Sequence, residues 1–160
     1  MKQAFARPNE KVCEPYHYTE CGLDDVYLMN GYHQHKTPYG DGVSVEDADA
    51  LHRVIAIQLC LTRAQLKPNE YRFLRKLMDL TQSELASLLR CDAQTVARWE
   101  KDESKAKGSA DRLLRLIYLS RVNNKIEVSK IVENLASLDD DHSTQKDVFQ
   151  KTKQKWKKAA

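Results

Sequence analysis

Three side chains near the middle of the chain, Gln94, Thr95 and Arg98, have the types and spacing needed to bind the edges of DNA bases. A glutamine amide can pair with adenine, an arginine guanidinium can pair with guanine, and a threonine methyl group can contact the thymine methyl. In a helix, the apolar residues Val96 and Trp99 lie three positions apart and point to the core, which leaves the three polar side chains on or near the solvent side. We therefore expect a polar helix face that suits the major groove of duplex DNA.

A second short helix is predicted immediately before this one. Thr81 is placed to cap it, and Glu84, three residues later, completes a capping box that satisfies two backbone donors. Asp92 is placed to cap the helix that carries the polar face. The first helix has an apolar stripe predicted to face inward, formed by Leu85, Ala86, Leu88 and Leu89. Residues 81–101 thus predict two helices joined by a tight turn.

The stretch from Leu80 to Lys101 resembles the Xre/Cro family of helix-turn-helix regulators, whose pattern runs close to L-T-Q-x-E-L-A-x-L-L-G-V-S-x-x-T-V-x-x-W-E-x-G. This chain has Arg90 and Cys91 where the family usually has Gly-Val, and Asp102 where it usually has glycine. A non-glycine residue at a left-handed turn position costs roughly a kcal/mol. We therefore expect Arg90 in a slightly altered turn, with its guanidinium near a phosphate, and Cys91 in the small buried site of the valine.

The resemblance implies DNA-binding roles for specific residues of the two helices. At the first helix's N-terminus, Gln82 is implied to bind a phosphate with the help of the helix dipole. The complete set of expected DNA-binding residues is Gln82, Arg90, Ala93, Gln94, Thr95, Arg98 and Lys101. The alternative is that these are ordinary exposed polar residues, since helix-turn-helix units also occur in proteins that do not bind DNA.

Further helices are predicted on both sides of this unit. Residues 69–79 form a helix that begins after Pro68, and residues 110–121 form another, capped by Ser109. A last one begins at about residue 126, which makes five helices within 69–138. The remaining charges on the first of these helices are interpreted as solvated, with phosphate contact as the alternative; they are Arg72, Arg75 and Lys76.

Dimerisation is implied by the same resemblance, because members of the family generally dimerise. The last helix has an apolar stripe that needs a partner, either the rest of the domain or a second copy of the chain. A two-fold dimer places its two recognition helices about one DNA turn apart, roughly 34 Å. The geometric prediction is a palindromic operator.

The N-terminal part predicts a different kind of structure. Asn30 and Gly31 lie between the strand-like segments 26–29 and 32–35, which is the strongest short-range signal for a type I′ hairpin. A capping box formed by Ser44 and Asp47 then begins an amphipathic helix that ends at about residue 60.

These patterns predict a mainly α protein. The C-terminal five-helix helix-turn-helix domain is accompanied by a small α+β N-terminal domain, a β-hairpin plus a helix. The expected division is a hairpin-plus-helix domain at 1–60, a linker at 61–68, a DNA-binding domain at 69–138 and a basic tail at 139–160.

The order of the two parts is similar to that of antitoxins of the MqsA type: an N-terminal segment that ends in Tyr18-Thr19-Glu20-Cys21-Gly22 precedes the helix-turn-helix domain, here called the reader. In that family a small zinc-binding N-terminal domain binds a toxin, and two C-x-x-C pairs hold the metal. This chain has neither pair, so we interpret its N-terminal domain as a zinc ribbon that has lost its metal and is held by hydrophobic contacts. A zinc site remains as the alternative, with candidate ligands Cys13, His17, Cys21, His33 and His35.

The basic tail has two interpretations. Residues 146–158 contain six lysines and a single acid, Asp147, with Val148, Phe149 and Trp156 interspersed. Such a segment can follow a phosphate backbone or dock on an acidic partner. The alternative is a frayed, solvated helix.

Composition agrees with a DNA-binding protein without requiring one. The chain has 160 residues, 41% of them hydrophobic, and can bury one substantial core or two small ones. Its net charge of +3 and pI of about 8.6 are compatible with a polyanionic partner. No apolar run approaches the roughly 18 residues that cross a bilayer, and residues 1–8 lack the apolar core of a signal peptide. We therefore expect a cytoplasmic protein with no membrane partner.

Catalysis is not expected. The four cysteines lie in separate segments and are interpreted as reduced structural thiols; they are Cys13, Cys21, Cys60 and Cys91. A cysteine and a histidine of the N-terminal part can form a nucleophile and a base in principle, but no orienting motif, phosphate-binding glycine loop or paired acid accompanies them. Three readings of function remain: an autoregulating repressor that is the antitoxin of a toxin–antitoxin pair, a stand-alone repressor whose N-terminal domain senses a ligand or dimerises, and a protein scaffold with a vestigial reader.

Overall fold

The computed structural model describes residues 14–123, 125, 127–138 and 146–160. Within them the helices are α1 (Ala48–Thr62), α2 (Pro68–Leu77), α3 (Gln82–Leu89), α4 (Ala93–Glu100), α5 (Gly108–Val122) and α6 (Val128–Ala136). The strands are β1 (Tyr16–His17), β2 (Val26–Leu28), β3 (Tyr32–Thr37), β4 (Gly40–Val45), β5 (Asp147–Lys151) and β6 (Trp156–Lys158). The expectation of a mainly helical fold with a small N-terminal β region is confirmed.

The larger sheet combines strands from both ends of the chain. Its order is β1-β2-β5-β6, with β2 and β5 parallel and the other two pairs antiparallel. Leu28 of β2 lies opposite Phe149 of β5, and neither side chain is exposed to solvent. Burial of large apolar side chains such as these stabilises the fold by about 1.5–3 kcal/mol each. The sheet therefore depends on residues from the C-terminal segment.

The hairpin predicted around Asn30-Gly31 is wrong. Strand β3 pairs with β4, not with β2, in a register that places Tyr32 opposite Val45 and Thr37 opposite Gly40. The Asn-Gly pair instead lies in the connection from one sheet to the other. His33 and His35 of β3 accordingly lie opposite Ser44 and Gly42 of β4 and are not paired with residues of β2.

The reason for this difference is a contact with the C-terminal strands. The Asn30 side chain donates to the Lys151 carbonyl at 3.0 Å and accepts from the Lys151 amide at 2.6 Å, replacing the cross-strand bonds of a hairpin. Gly31 has φ +74°, and a β-carbon there would lie 2.7 Å from the Trp156 ring. Glycine is thus required both for its backbone conformation and for the close approach of the indole.

The interpretation of the tail as a frayed helix is also wrong. Residues 147–158 form β5 and β6, and Phe149 and Trp156 are buried beneath them. The Trp156 indole donates to the Glu46 carbonyl at 2.9 Å, so its polar edge is satisfied in the buried position. The segment contains too few apolar residues for their spacing to distinguish a strand from a helix, which is why the sequence did not predict the strands.

Helix α1 begins later than the predicted capping box implies. Asp47 is its N-cap and accepts from the Ala50 amide at 3.4 Å, whereas Ser44 lies within β4 and hydrogen-bonds His35. The helix then continues to Thr62, two residues into the predicted linker. The capping box of Ser44 and Asp47 was therefore wrong, because pairing with β3 holds residue 44 in extended backbone.

Two residues of the connection between α1 and α2 are buried. Arg63 and Leu66 are 3% and 4% exposed. Asp111 of α5 accepts from the Leu66 amide at 2.9 Å, and the Arg115 guanidinium donates to the carbonyls of Arg63 and Ala64. A buried arginine that satisfies several carbonyls fixes the course of this connection. The division of the chain into four parts stays a prediction.

Five of the described helices follow one another between Pro68 and Ala136. Helix α2 begins at Pro68 itself, one residue before the predicted start, and α5 begins at Gly108, before the predicted cap at Ser109. Helix α6 lies against α1 and α5 and buries Leu135. Part of its apolar stripe is therefore covered by the chain itself.

Candidate nucleic-acid interface

The capping residues of α3 and α4 adopt the predicted geometry. The Thr81 amide donates to Glu84 Oε2 at 2.7 Å, and the Glu84 amide donates to Thr81 Oγ1 at 3.1 Å. Asp92 Oδ1 accepts from the Thr95 amide at 2.7 Å. These backbone donors hold the pKa of Glu84 and of Asp92 below their ordinary values, because they stabilise the ionised carboxylates. The two capping predictions are confirmed.

The turn between the helices uses a non-glycine residue in left-handed conformation. Arg90 has φ 57° and ψ 44°, and Asp102, after α4, has φ 60°. At both positions the Xre/Cro pattern usually has glycine. Arg90 and Asp102 thus adopt the left-handed conformation that glycine favours, although both carry side chains. Cys91 is only half-buried, which corrects the expectation that it fills an enclosed site. The side chain of Arg90 is exposed.

Helix α4 is anchored on one side and free on the other. Val96 and Trp99 are 1% and 7% exposed, and the Trp99 ring lies 6.1 Å from the ring of Tyr71 in α2. Gln94 and Arg98 are exposed and lie four residues apart, so both project from the same face. The result is a short helix held by its core side chains that presents an amide and a guanidinium to solvent.

The other residues proposed for this interface differ in their exposure. Ala93 and Thr95 are half-buried on α4, and Lys101 is exposed directly after it. Among the described residues, no carboxylate lies within 4 Å of the charged groups of Arg90, Arg98 or Lys101. Their positive charge is thus not neutralised by an ion pair in the described part of the chain.

Sequence reasoning missed Glu100, the buried carboxylate at the end of α4. Its side chain is 1% exposed and accepts from Arg75 Nε at 2.6 Å and Arg75 Nη2 at 3.0 Å. Arg72 Nε lies 3.5 Å from the same carboxylate. Arg75, whose side chain is 12% exposed, is therefore an ion-pair partner of α4 rather than a solvated charge. The available signal was spacing, because Glu100 follows Val96 by four residues and shares its inward face.

The carboxylate of Glu100 is ionised in these surroundings. Burial alone raises its pKa, but hydrogen bonds from Arg75 and Gln82 and the charges of Arg75 and Arg72 outweigh that effect, so the pKa lies below its ordinary value. Gln82 Nε2 donates to Glu100 Oε2 at 3.0 Å. Glu100 thus ties the N-terminus of α3 and the end of α2 to the C-terminal end of α4. The phosphate-binding role of Gln82 stays a prediction.

One apolar side chain departs from the expected inward stripe. Leu88 of α3 is 45% exposed, whereas Leu85 and Ala86 are buried. In an eight-residue helix that contacts α4 and α5, the inward face is narrower than the four apolar positions of the sequence pattern suggest.

The four candidate zinc ligands that the structure describes do not come together. His17 Nε2 lies 2.6 Å from the Asp24 carbonyl, and the Cys21 thiol donates to the Tyr18 carbonyl at 3.5 Å. On β3, His33 pairs with Glu46 and His35 with Ser44. Within the described residues, no three histidine, cysteine or acidic side chains are grouped so as to hold a metal ion. Cys13 lies outside the described residues.

A comparison with protein families matches residues 72–116 to the helix-turn-helix family. The matched range runs from α2 into α5 and includes the whole of α3 and α4. This part of the chain is similar to the Xre-like helix-turn-helix domains of DNA-binding transcription regulators. No curated protein and no solved structure has significant similarity to the chain. Among the described residues, no helix is both long and apolar enough to span a bilayer.

Proposed function

We propose that this protein is a sequence-specific repressor that binds duplex DNA through α4. The observation that carries the proposal is the contrast between the two sides of that helix: Val96 and Trp99 are buried, while Gln94 and Arg98 project together into solvent. A helix anchored in this way can enter the major groove with its polar side toward the base edges. The match of the surrounding segment to the helix-turn-helix family supports this use of the helix.

Each residue of the interface has a role that its chemistry supports. Gln94 pairs with an adenine edge and Arg98 with a guanine edge. The half-buried Thr95 contacts a thymine methyl group with its own methyl group. Ala93 gives room for the close approach of the helix to the groove. Outside the groove, Arg90, Lys101 and Gln82 bind phosphates, which sets the position of the domain on the duplex. Arg90 and Lys101 are exposed in positions that suit this role.

The proposal includes a homodimer on a palindromic operator. One α4 reads only a few base pairs, and a two-fold pair of such helices about 34 Å apart reads two half-sites. Exposed apolar side chains remain on the helical domain, among them Leu88, Leu113 and Val128. They supply apolar surface that a second copy can cover.

Replacing Arg98 with alanine tests base reading directly. The operator is first selected from a pool of random duplexes with the wild-type protein, and the affinity of the variant is then measured on the selected site. Loss of one bidentate contact should cost about 1–3 kcal/mol and relax the preference at a single base pair. Arg53→Ala is the control, since Arg53 is an exposed arginine of α1 outside the matched segment.

Two results contradict the proposal. One is a wild-type protein that selects no sequence from the random pool, and the other is an Arg98→Ala variant with unchanged affinity and unchanged preference at every base pair. Either result favours a protein scaffold with a vestigial reader.

We further propose that the repressor is the antitoxin of a toxin–antitoxin pair and represses its own operon. The feature that favours a protein partner is the β3–β4 hairpin, in which residues 33–41 are exposed and Tyr39 is fully exposed at the tip. A two-stranded hairpin with little burial of its own is marginally stable, and a bound partner would stabilise it. The stand-alone repressor with a ligand-sensing or dimerising N-terminal part is the competing proposal.

Expression of the adjacent gene separates these two proposals. If the neighbour arrests growth, and co-expression of this protein relieves the arrest and yields a stable complex on purification, the antitoxin proposal holds. Tyr39→Ser, at the hairpin tip, should then weaken the complex while leaving operator binding intact. A neighbour that is harmless and does not co-purify contradicts the antitoxin proposal and leaves the stand-alone repressor.

A further inference from the structure

The C-terminal strands carry a concentration of positive charge. Residues 146–158 contain six lysines and one acid. Three of these lysines are engaged: Lys151 with Glu46 at 2.6 Å, Lys158 with Asp147 at 3.2 Å, and Lys146 with the ring of Tyr27 at 5.1 Å.

Lys153, Lys155 and Lys157 form what we call the lysine patch. All three are exposed, and among the residues that the structure describes none has a carboxylate within 4 Å of its ammonium group. The only acid of the segment, Asp147, is 2% exposed and paired with Arg63, so it does not offset the patch. The three ammonium groups therefore make a local surplus of positive charge on a chain whose overall charge is only +3.

The backbone that carries the patch is held in place. The Thr152 amide and hydroxyl both donate to the Lys155 carbonyl, at 2.9 Å and 2.8 Å, and close the turn between β5 and β6. Trp156, between two patch lysines, is 3% exposed, so its neighbours Lys155 and Lys157 project to the opposite side of β6. Lys157 thus lies on β6, and Lys153 and Lys155 lie in the hydrogen-bonded turn that joins β5 to β6.

This strand pair is joined to the helix-turn-helix domain by buried charges. Arg63 Nη2 donates to Asp147 at the start of β5 at 2.8 Å, and Arg63 Nε donates to Glu70 in the first turn of α2 at 2.9 Å. All three side chains are less than 5% exposed. A charge network that is removed from water and well paired is costly to break, because each partner left alone would be a buried unpaired charge.

The chemistry of the patch favours nucleic acid over protein. The large apolar side chains of the two strands, Phe149 and Trp156, are buried, so the patch offers no apolar anchor. Protein interfaces are depleted in lysine and depend on buried aromatic or arginine anchors. Duplex DNA carries one negative charge per roughly 1.7 Å of its axis, and lysine binds phosphate as a point charge without needing fixed geometry.

We infer that the lysine patch binds the phosphate backbone of duplex DNA outside the base pairs read by α4. This inference rests on the proposed function, because it adds a second contact surface to the same complex. Its contribution is independent of base sequence, since phosphates carry no sequence information. The competing role for lysines on and beside β6, the edge strand of its sheet, is to prevent this strand from pairing with another chain.

The test uses the full-length protein with three changes, Lys153→Gln, Lys155→Gln and Lys157→Gln. Affinity is measured on two duplexes of equal length, the selected operator and a scrambled sequence. The KCl concentration is varied over about 0.05–0.3 M, a range in which counterion release changes affinity strongly. The slope of log K against log salt should decrease by about 0.9 for each lost phosphate contact, and so by up to about 2.7. The affinity should fall by the same factor on both duplexes.

Two further variants make the result specific. A triple change of exposed lysines elsewhere, Lys36→Gln, Lys125→Gln and Lys130→Gln, alters the net charge equally and should leave most of the slope intact. Replacing the three patch lysines with arginine keeps the charge and should keep the slope.

The outcomes separate the two proposals. An unchanged slope of log K against log salt in the patch variant overturns the inference, whether or not size-exclusion chromatography shows new aggregation of that variant. A decrease of the slope in the control variant equal to that in the patch variant also overturns it. In both cases the wild-type protein still selects an operator, so the proposed function stands. A wild-type protein that binds neither duplex overturns the proposed function itself.

Discussion

At the scale of single residues, the most consequential side chain is one that contacts no DNA in our proposal. Glu100 receives hydrogen bonds from Arg75 and Gln82, which belong to the two helices that precede α4. The exposed Arg98, only two positions earlier, is supported by this buried anchor. Orientation of the reading face thus depends on an acid–base pair on the opposite side of the helix.

Replacing Glu100 with glutamine should destabilise the protein by about 3 kcal/mol at neutral pH, because Arg75 loses its ionised partner in a buried site. The difference from wild type should shrink in acid. The pKa of Glu100 is depressed in the folded state, so its stabilising contribution is present above the unfolded pKa of about 4.3 and is lost as the pH falls through the folded value. Urea unfolding at about pH 7 and about pH 3 measures both effects.

The control for this prediction is Glu103→Gln, which removes an exposed carboxylate three residues later and should have little effect at either pH. A difference between wild type and Glu100→Gln that stays constant from neutral to acidic pH would contradict the assignment of an ionised, stabilising carboxylate at position 100.

At the scale of elements, the turn between α3 and α4 combines backbone strain with a functional charge. A left-handed arginine costs about 1–2 kcal/mol relative to glycine, and the chain accepts this cost at Arg90. The side chain that causes the strain is exposed beside the proposed phosphate contacts. Strained backbone of this kind is often found where function requires a particular side chain.

Replacing Arg90 with glycine should therefore raise the stability and lower the DNA affinity. Relief of strain is partly offset by about 0.4–1 kcal/mol of extra entropy in the unfolded chain, which leaves a net gain of roughly 0.5–1 kcal/mol. Loss of one phosphate contact should reduce the salt slope of binding by about 0.9. Arg90→Ala is the matched variant: it keeps the strain, so it should lose the contact without the gain in stability.

The outcome that would refute this account is a glycine variant that is no more stable than the alanine variant. That result would mean that the left-handed conformation at position 90 carries no measurable strain. Equal DNA affinity in the wild type and both variants would separately remove Arg90 from the phosphate contacts.

Prediction from sequence succeeded where structure is determined locally. The caps Thr81 and Asp92 depend on neighbours within a few residues and lie as expected, and the start of α2 lies within one residue of the predicted position. The Asn30-Gly31 hairpin failed for the opposite reason: its local turn preference was overridden by contacts with Lys151 and Trp156, far away in the chain. In the candidate site, the exposed face of α4 was predictable, but the partner of Glu100 was not, because Arg75 comes from another helix.

At the scale of the whole molecule, buried charges join parts that the sequence pattern separates. Arg63, Glu70 and Asp147 link the end of α1, the start of α2 and the start of β5. Arg115 and Asp111 of α5 hold the same connection from the other side. A partner that binds the four-stranded sheet and displaces β5 would therefore also disturb the ion pair of Arg63 with Glu70 in α2, the first helix of the helix-turn-helix domain.

The parallel pairing of β2 with β5 also sets the order of events during synthesis. Contacts between the N-terminal sheet and the C-terminal strands join residues as far as 121 positions apart, as in the pair Asn30 and Lys151. At about 5–20 residues per second, a ribosome needs roughly 6–24 s to make the intervening chain. For that time β2 is a nascent strand without its β5 neighbour, whereas the helices after Pro68 can already form from local contacts. The helix-turn-helix segment can thus fold before β5 is available to complete the sheet that contains β2.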